Sequence, residues 1–380
     1  MVSVQQHSEL DALASYCTDD LHASPCAVVA CAYRGRGGWY VDEGAAGLLA
    51  PGLEAANTST VFDLASLTKP FSALTLARWV ERGLLDWHTP LGVPLREAHG
   101  TPSATVPLVW LAAHRAGLQP HLPLYEPLEQ GIAVDPAKAL HSACNSRRPG
   151  CESPLSQEDG FPPVYSDLGY LLLGKAMVRA SGMPLDTLIA QEVSTPLGLS
   201  VGSARQWRHR DPFFDNRVAP TEEIPWRGGL VRGAVHDENA WALAGHNTCA
   251  HAGLFGTASD IARLGIAVLE ASRGGLPAWL SPSSLEPVLR VRKGGYLRAG
   301  FDSKSPVGSS AGPRASLDTF GHLGFTGTSL WIDPAVDVVT VLLTNRVCPT
   351  RHNMAIQKAR PHIHDDLLGW GMSRRVEASQ

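Results

Sequence analysis

The runs that read as strands lie near the two ends of this chain, and that placement limits the possible fold more than any other feature. Cys26–Tyr33 is a continuous apolar stretch of strand length, Arg34–Gly38 supplies a glycine-rich turn, and Trp39–Glu43 makes the return strand of a hairpin. Far downstream, Thr319–Phe325, Ser329–Ile332 and Val338–Thr344 form three more extended runs, with Asp333-Pro334 turning the chain between the last two. Helical spacing marks most of the rest. Glu9–Leu21 reads as a helix, Phe71, Leu74, Ala77 and Val80 recur on one helical face before Gly83, and Asp167 stands as an N-cap for a helix ending at Gly182. Ser259 or Asp260 opens another helix, and Met354–Leu368 forms the last. The stretches 86–160 and 196–250 are rich in Pro, Gly and His or in Pro, Arg and Trp, with short helical pieces such as Pro107–Ala116. One antiparallel sheet closed from both chain ends satisfies this order: an α+β fold, an α/β sandwich with flanking helices. The expected division is a sheet domain from 1–60 and 250–380 and an inserted, mainly helical domain over 61–249.

Composition narrows the class. With 380 residues and 44% hydrophobic residues the chain can bury a sizeable core. A net charge of −4 and the absence of a basic run argue against nucleic acid as the partner. No apolar run reaches the roughly 18 residues of a membrane span. No Lys or Arg precedes Arg34, so the charged region of a secretory signal is missing, and seven irregularly spaced cysteines suit a reducing compartment. Both point to the cytoplasm. Cys144 and Cys151 are the one pair that a loop could bring together.

Three short patterns carry chemistry. In Ser66-Leu67-Thr68-Lys69, positions i and i+3 share a helical face, so the hydroxyl and amine approach one another at a helix start that favours an oxyanion. Of the six lysines, only Lys69 has a serine three residues before it. Tyr165-Ser166-Asp167 precedes a helix, where a tyrosine beside a lysine can act as general base. The same spacing at Tyr40-Val41-Asp42 is ordinary strand alternation. His322-Leu323-Gly324 sits in a strand whose edge can offer the Phe325 amide to an oxyanion, with Gly324 allowing close approach of substrate. Its shorter pattern also occurs at His251-Ala252-Gly253 and Lys293-Gly294-Gly295.

In this order the three patterns resemble the serine β-lactamase and penicillin-binding-protein superfamily, above all its class C-like branch of esterases, D-amino-peptidases and related hydrolases. Phe62-Asp63-Leu64-Ala65-Ser66, Val235–Ala240, His251–Phe255 and Gly324–Thr328 extend the likeness over about residues 20–350. The resemblance implies a β-lactamase/transpeptidase-like fold with the active site at the domain junction. It implies Ser66 as the acylated nucleophile, Lys69 and Tyr165 sharing its proton, and the amides of Ser66 and Phe325 as the oxyanion hole. Asp167, His322, Gly324 and Thr326 would contact substrate, and no metal or organic cofactor is called for. Leu323 replaces the threonine usual in the third motif, and Asp167 stands where asparagine is frequent. Leu323, together with His322 where lysine is more usual, disfavours carboxylate-bearing substrates and favours neutral esters or amides.

The implied activity is therefore a serine hydrolase acting through an acyl-enzyme on a small ester, amide or peptide. An acyltransferase of the same fold and a catalytically silent binding module are the alternatives, and oligomeric state is left open. Two other patterns are weaker. Gly308-Ser309-Ser310-Ala311-Gly312 lacks the strand and helix that a nucleophile elbow needs. His362-x-His364 beside Asp365 and Asp366, and His236, His246 and His251, lack the spacing of zinc ligands.

Overall fold

The computed structural model describes residues 2–152 and 159–377. Its main sheet has seven strands: β1 (Ser3–Gln6), β2 (Cys26–Gly35), β3 (Gly38–Gly47), β4 (Asp302–Ser303), β5 (Phe320–Leu323), β6 (Ser329–Asp333) and β7 (Val338–Thr344), in the order β1-β3-β2-β7-β6-β5-β4. β2 and β3 form the expected hairpin, and β7 pairs antiparallel with β2 from Val338 opposite Tyr33 to Thr344 opposite Ala27. The two chain ends thus close one sheet. Its edge strand β1 runs parallel to β3, so the sheet is mixed rather than wholly antiparallel. Ser3–Gln6 is polar and exposed, so no apolar alternation announces it as a strand.

Alternation along the central strands feeds two cores. Val28, Ala30 and Ala32 with Val339, Val341 and Leu343 face one side, against helix α4 (Ala258–Ser272) and the buried helices α2 (Thr68–Glu81) and α3 (Asp167–Ser181). Ala27, Val29 and Cys31 with Val338 and Leu342 face the other, against α1 (Ser8–Ser15) and α5 (Ile356–Glu377). α4 lies close on the sheet because Gly265 meets Val339, where a Cβ would come within 2.5 Å of a Val339 methyl. α2 is buried on nearly every side, and its buried hydroxyls are satisfied by backbone carbonyls, Ser72 donating to Thr68 and Ala250 and Thr75 to Phe71.

Two local expectations change. Ser166, not Asp167, caps α3: its hydroxyl accepts the Gly169 amide, which leaves the Asp167 carboxylate free to turn elsewhere. α5 begins near its expected start but runs on to Glu377. The seven cysteines are buried free thiols, Cys144 and Cys151 included. No helix among the described residues is long and apolar enough to cross a membrane.

The His-x-His pair of α5 divides between two environments. His362 lies at the surface 3.4 Å from Asp366, whereas His364 is fully buried between the hydroxyls of Ser329 (2.7 Å) and Thr340 (2.8 Å). Burial, with Arg360 nearby, lowers the His364 pKa to about 3. Below about pH 6.5 the unfolded chain takes up a proton that the folded chain refuses. The stability held by this residue is therefore complete above pH 6.5 and lost as pH falls. Between pH 7 and pH 5 the loss is about 2 kcal/mol. Urea unfolding at the two pH values should show a loss smaller by about that amount in His364→Gln; equal losses in both proteins would refute the assignment.

Candidate active site

The turn that carries Ser66 is built before α2 begins. Ala65–Leu67 form a 3₁₀ turn, and Ala65 has a φ of +47°, a left-handed conformation costing a non-glycine residue about 1–2 kcal/mol. Three hydrogen bonds hold it there. Asp63 Oδ1 accepts the Ala65 amide (2.9 Å), the Thr326 hydroxyl donates to the Asp63 carbonyl (2.8 Å), and the Thr328 hydroxyl donates to the Leu64 carbonyl (3.0 Å). Asp63 Oδ2 accepts the His236 amide (2.7 Å) and so ties the turn to the loop before Glu238.

Ser66 Oγ is met from two sides. Lys69 Nζ lies 2.8 Å away and Tyr165 Oη 2.9 Å, so the expected Ser, Lys and Tyr come together. Lys69 is fully buried. Its ammonium also reaches Asp167 Oδ1 (2.7 Å) and the His251 carbonyl (3.3 Å), and sits 4.7 Å from the centre of the Tyr165 ring. Burial first, then the Asp167 charge, raises the Tyr165 pKa well above its usual value, so the resting phenol keeps its proton.

Tyr165 is held from behind by His114, whose ring stacks on it at 4.6 Å and whose Nδ1 accepts the Ser166 amide (3.0 Å). Burial, then Lys69, keeps the His114 pKa well below normal, so this histidine is neutral. His322 approaches Tyr165 at 6.1 Å between ring centres and donates from Nδ1 to the Leu323 carbonyl (2.8 Å). Burial and Lys69 bring its pKa down to about 3.

A cleft of about 490 Å³ opens over Ser66, lined by Tyr165, Asp167, Gly324 and Phe325. Asp237 lines it too, paired with His251 Nε2 at 2.9 Å. Burial opposes ionisation of Asp237, but His251 outweighs it and holds the carboxyl well below its ordinary range. Phe325 is half exposed, stacked on His236, with the Arg346 guanidinium 4.5 Å from its ring centre. Its carbonyl accepts from Arg346 Nε (2.8 Å), while neither its amide nor that of Ser66 donates to a protein acceptor among the described residues.

The other expected site residues are placed differently. Thr326 is buried, with its hydroxyl spent on Asp63. His322 is buried behind Tyr165 rather than in the cleft wall. Gly324 does line the cleft, but its lack of a side chain serves protein packing: a Cβ there would lie 1.9 Å from the Thr328 hydroxyl and 2.8 Å from the Leu64 carbonyl. His114 and Asp237 escaped the sequence reading, because a lone histidine in a Pro-rich stretch and an N-cap aspartate carry no pattern of their own. The run Val235–Ala240 was the available signal for Asp237.

The family model described as Beta-lactamase matches residues 19–360 of the chain. Among curated proteins, the N-acetylmuramyl-L-alanine amidase of Bacillus subtilis (strain 168) is 28% identical over 318 residues, covering 76% of this chain and 68% of the relative. A putative D-alanyl-D-alanine carboxypeptidase of Escherichia coli (strain K12) is 28% identical over 320 residues, covering 77% and 70%. Among solved structures, a class C beta lactamase from Rhodobacter sphaeroides shares the fold with a TM-score of 0.66 at 20% identity, covering 95% of this chain and 99% of its own.

Asp167 is one source of the upward push on Tyr165, so replacing it lowers that pKa. In Asp167→Asn, the pH at which a fluorophosphonate begins to label Ser66 rapidly should move down. An unchanged labelling profile would mean that the Asp167 charge is not felt at the reacting hydroxyls.

Proposed function

The chain belongs to the beta-lactamase family and is a serine hydrolase working through an acyl-enzyme, and on that premise we propose that Ser66 is its nucleophile and that the substrate is a small ester, amide or peptide. The observation that carries the residue assignment is the convergence of Lys69 Nζ and Tyr165 Oη on Ser66 Oγ at 2.8 and 2.9 Å. The same reading puts the site where the helical segment 61–249 meets the sheet formed by the chain ends.

The roles divide by proton state. Burial keeps Tyr165 protonated in the resting cleft, so it is the donor to the leaving group, and Lys69, once the ammonium proton that it shares with Ser66 and Asp167 at rest has passed to solvent, takes the proton of Ser66. Tyr165 then recovers a proton from Lys69, and water reverses the path to release the acyl group. Asp167, 2.7 Å from Lys69 Nζ, balances the charge that passes through the lysine. The amides of Ser66 and Phe325 receive the oxyanion, and the Arg346 bond to the Phe325 carbonyl orients that peptide. His114 and His322 position Tyr165 without meeting substrate.

Ser66→Ala should lower hydrolysis of a p-nitrophenyl short-chain ester at least 1,000-fold, while added alcohols measure how much acyl group goes to an acceptor other than water. Ester hydrolysis at the wild-type rate in Ser66→Ala would overturn the nucleophile assignment.

A further inference from the structure

His251 meets the buried ammonium with one group and a cleft carboxylate with another. Its carbonyl accepts from Lys69 Nζ at 3.3 Å, while its buried ring donates from Nε2 to Asp237 Oδ1 at 2.9 Å. The carboxylate is itself fixed, because the same Oδ1 accepts the Ala240 amide (2.7 Å) as the N-cap of the helix Glu238–Ala244. The chain on either side of His251 is tied to α2. Ser72 Oγ donates to the Ala250 carbonyl (2.9 Å), and the Leu254 amide donates to Thr68 Oγ1 (3.3 Å). Between these ties the Asp237 bond is the one hydrogen bond that anchors the His251 side chain among the described residues. The His251-Ala252-Gly253 copy of the third pattern therefore has a place in the site, although not the place of His322-Leu323-Gly324.

The pair also carries charge. His251 Nδ1 is buried without a partner, so the ring keeps its proton on Nε2, where the carboxylate accepts it, and the pair retains one negative charge. That charge and the Lys69 ammonium attract one another, which helps to keep Asp237 ionised. Lys69 is further faced by Asp167, Tyr165 and Tyr170 from the start of α3, by His114, and by Asp302 and His322 of β4 and β5. Asp237 is faced in addition by Asp63, Tyr165, Arg227 and Cys249. Burial keeps both phenols protonated and both histidines, His114 and His322, neutral, and it raises the Asp302 pKa to about 7. Two carboxylates therefore act on the ammonium as full charges, Asp167 in contact and Asp237 through space.

We infer that Asp237 and His251 are a positioning pair for Lys69: the ring bond keeps the His251 carbonyl against the ammonium, and the Asp237 charge, added to that of Asp167, sets the pH at which the lysine becomes the amine that takes the Ser66 proton. Neither residue bonds to Ser66, and both act through Lys69. The inference rests on the reading of Lys69 as the base for Ser66. Its sign is fixed by electrostatics: a nearby negative charge holds the proton on an amine, so removing the charge frees the amine at lower pH.

The test is the rate of fluorophosphonate labelling across pH in the full-length protein, with the labelled residue located by mass spectrometry. Asp237→Asn keeps an oxygen for the Ala240 amide and the His251 ring but removes the charge, so the onset of rapid labelling should move down by about half a pH unit or more. Asp237→Ala and His251→Leu each break the bond between the pair, and each should lower the high-pH plateau by about tenfold. Combining them should cost no more than the worse of the two, because both remove one interaction. Asp237→Asn should restore most of the plateau lost in Asp237→Ala. An unmoved onset in Asp237→Asn would overturn the inference, and this variant decides alone if the other two fail to fold. Plateau losses that multiply in the double variant would overturn the pairing. Label found on a residue other than Ser66 in the wild-type protein would overturn the nucleophile assignment, and this inference with it; label on Ser66 with an unmoved onset overturns the inference alone.

Discussion

The buried ammonium of Lys69 is the constraint on which the rest of the site depends. An ion of this kind out of water costs several kcal/mol unless oxygen atoms replace its hydration shell. Here the replacements are Ser66 Oγ, Asp167 Oδ1 and the His251 carbonyl, with the Tyr165 ring against the charge. They come from three separate stretches of chain, so the ion is stable only where α2, the start of α3 and the loop before α4 are all in register. A structure that solves this solvation problem has, by the same contacts, placed the Ser66 hydroxyl between a lysine and a tyrosine.

The turn after β5 performs a second task that its glycine- and hydroxyl-rich wording conceals. Thr326 and Thr328 grip the carbonyls of Asp63 and Leu64, the two residues before the strained Ala65, and Gly324 packs against the same segment. From the other side Arg346 and Arg360 hold the carbonyls of Phe325 and Gly324. Most polar atoms of Gly324–Thr328 are therefore used in holding two backbone segments together, which leaves the Phe325 amide directed away from protein acceptors. On the proposed reading of the Phe325 amide as an oxyanion donor, this bracing keeps the site pre-organised rather than formed on demand.

Much of this was legible beforehand, and unevenly. The pairing of Ser66 with Lys69 follows from helical geometry at i and i+3, and the closure of the sheet from both ends follows from where the apolar runs fall. β1 was not legible, because an exposed polar edge strand has no alternation to detect. Asp167 was read as a helix cap, the common fate of an aspartate at a helix start. Ser166 takes the cap instead and releases the carboxylate to Lys69, a choice set by a residue nearly 100 positions away. His114 and the Asp237–His251 pair were invisible for the same reason: each acts through a partner distant in sequence.

The sequence by itself determined the local elements, the two-faced central strands and the identity of the Ser–Lys–Tyr set, because periodicity and short spacings are properties of neighbouring residues. Tertiary structure alone decided which charges are paired and which are not. Among the described residues Arg351 meets two carboxylates and Arg360 none, although both are arginines within ten residues of each other near the start of α5. Nothing in their spacing distinguishes them. Charge compensation depends on atoms brought together across the fold, at distances where a few ångströms separate an ion pair from an unpaired buried cation.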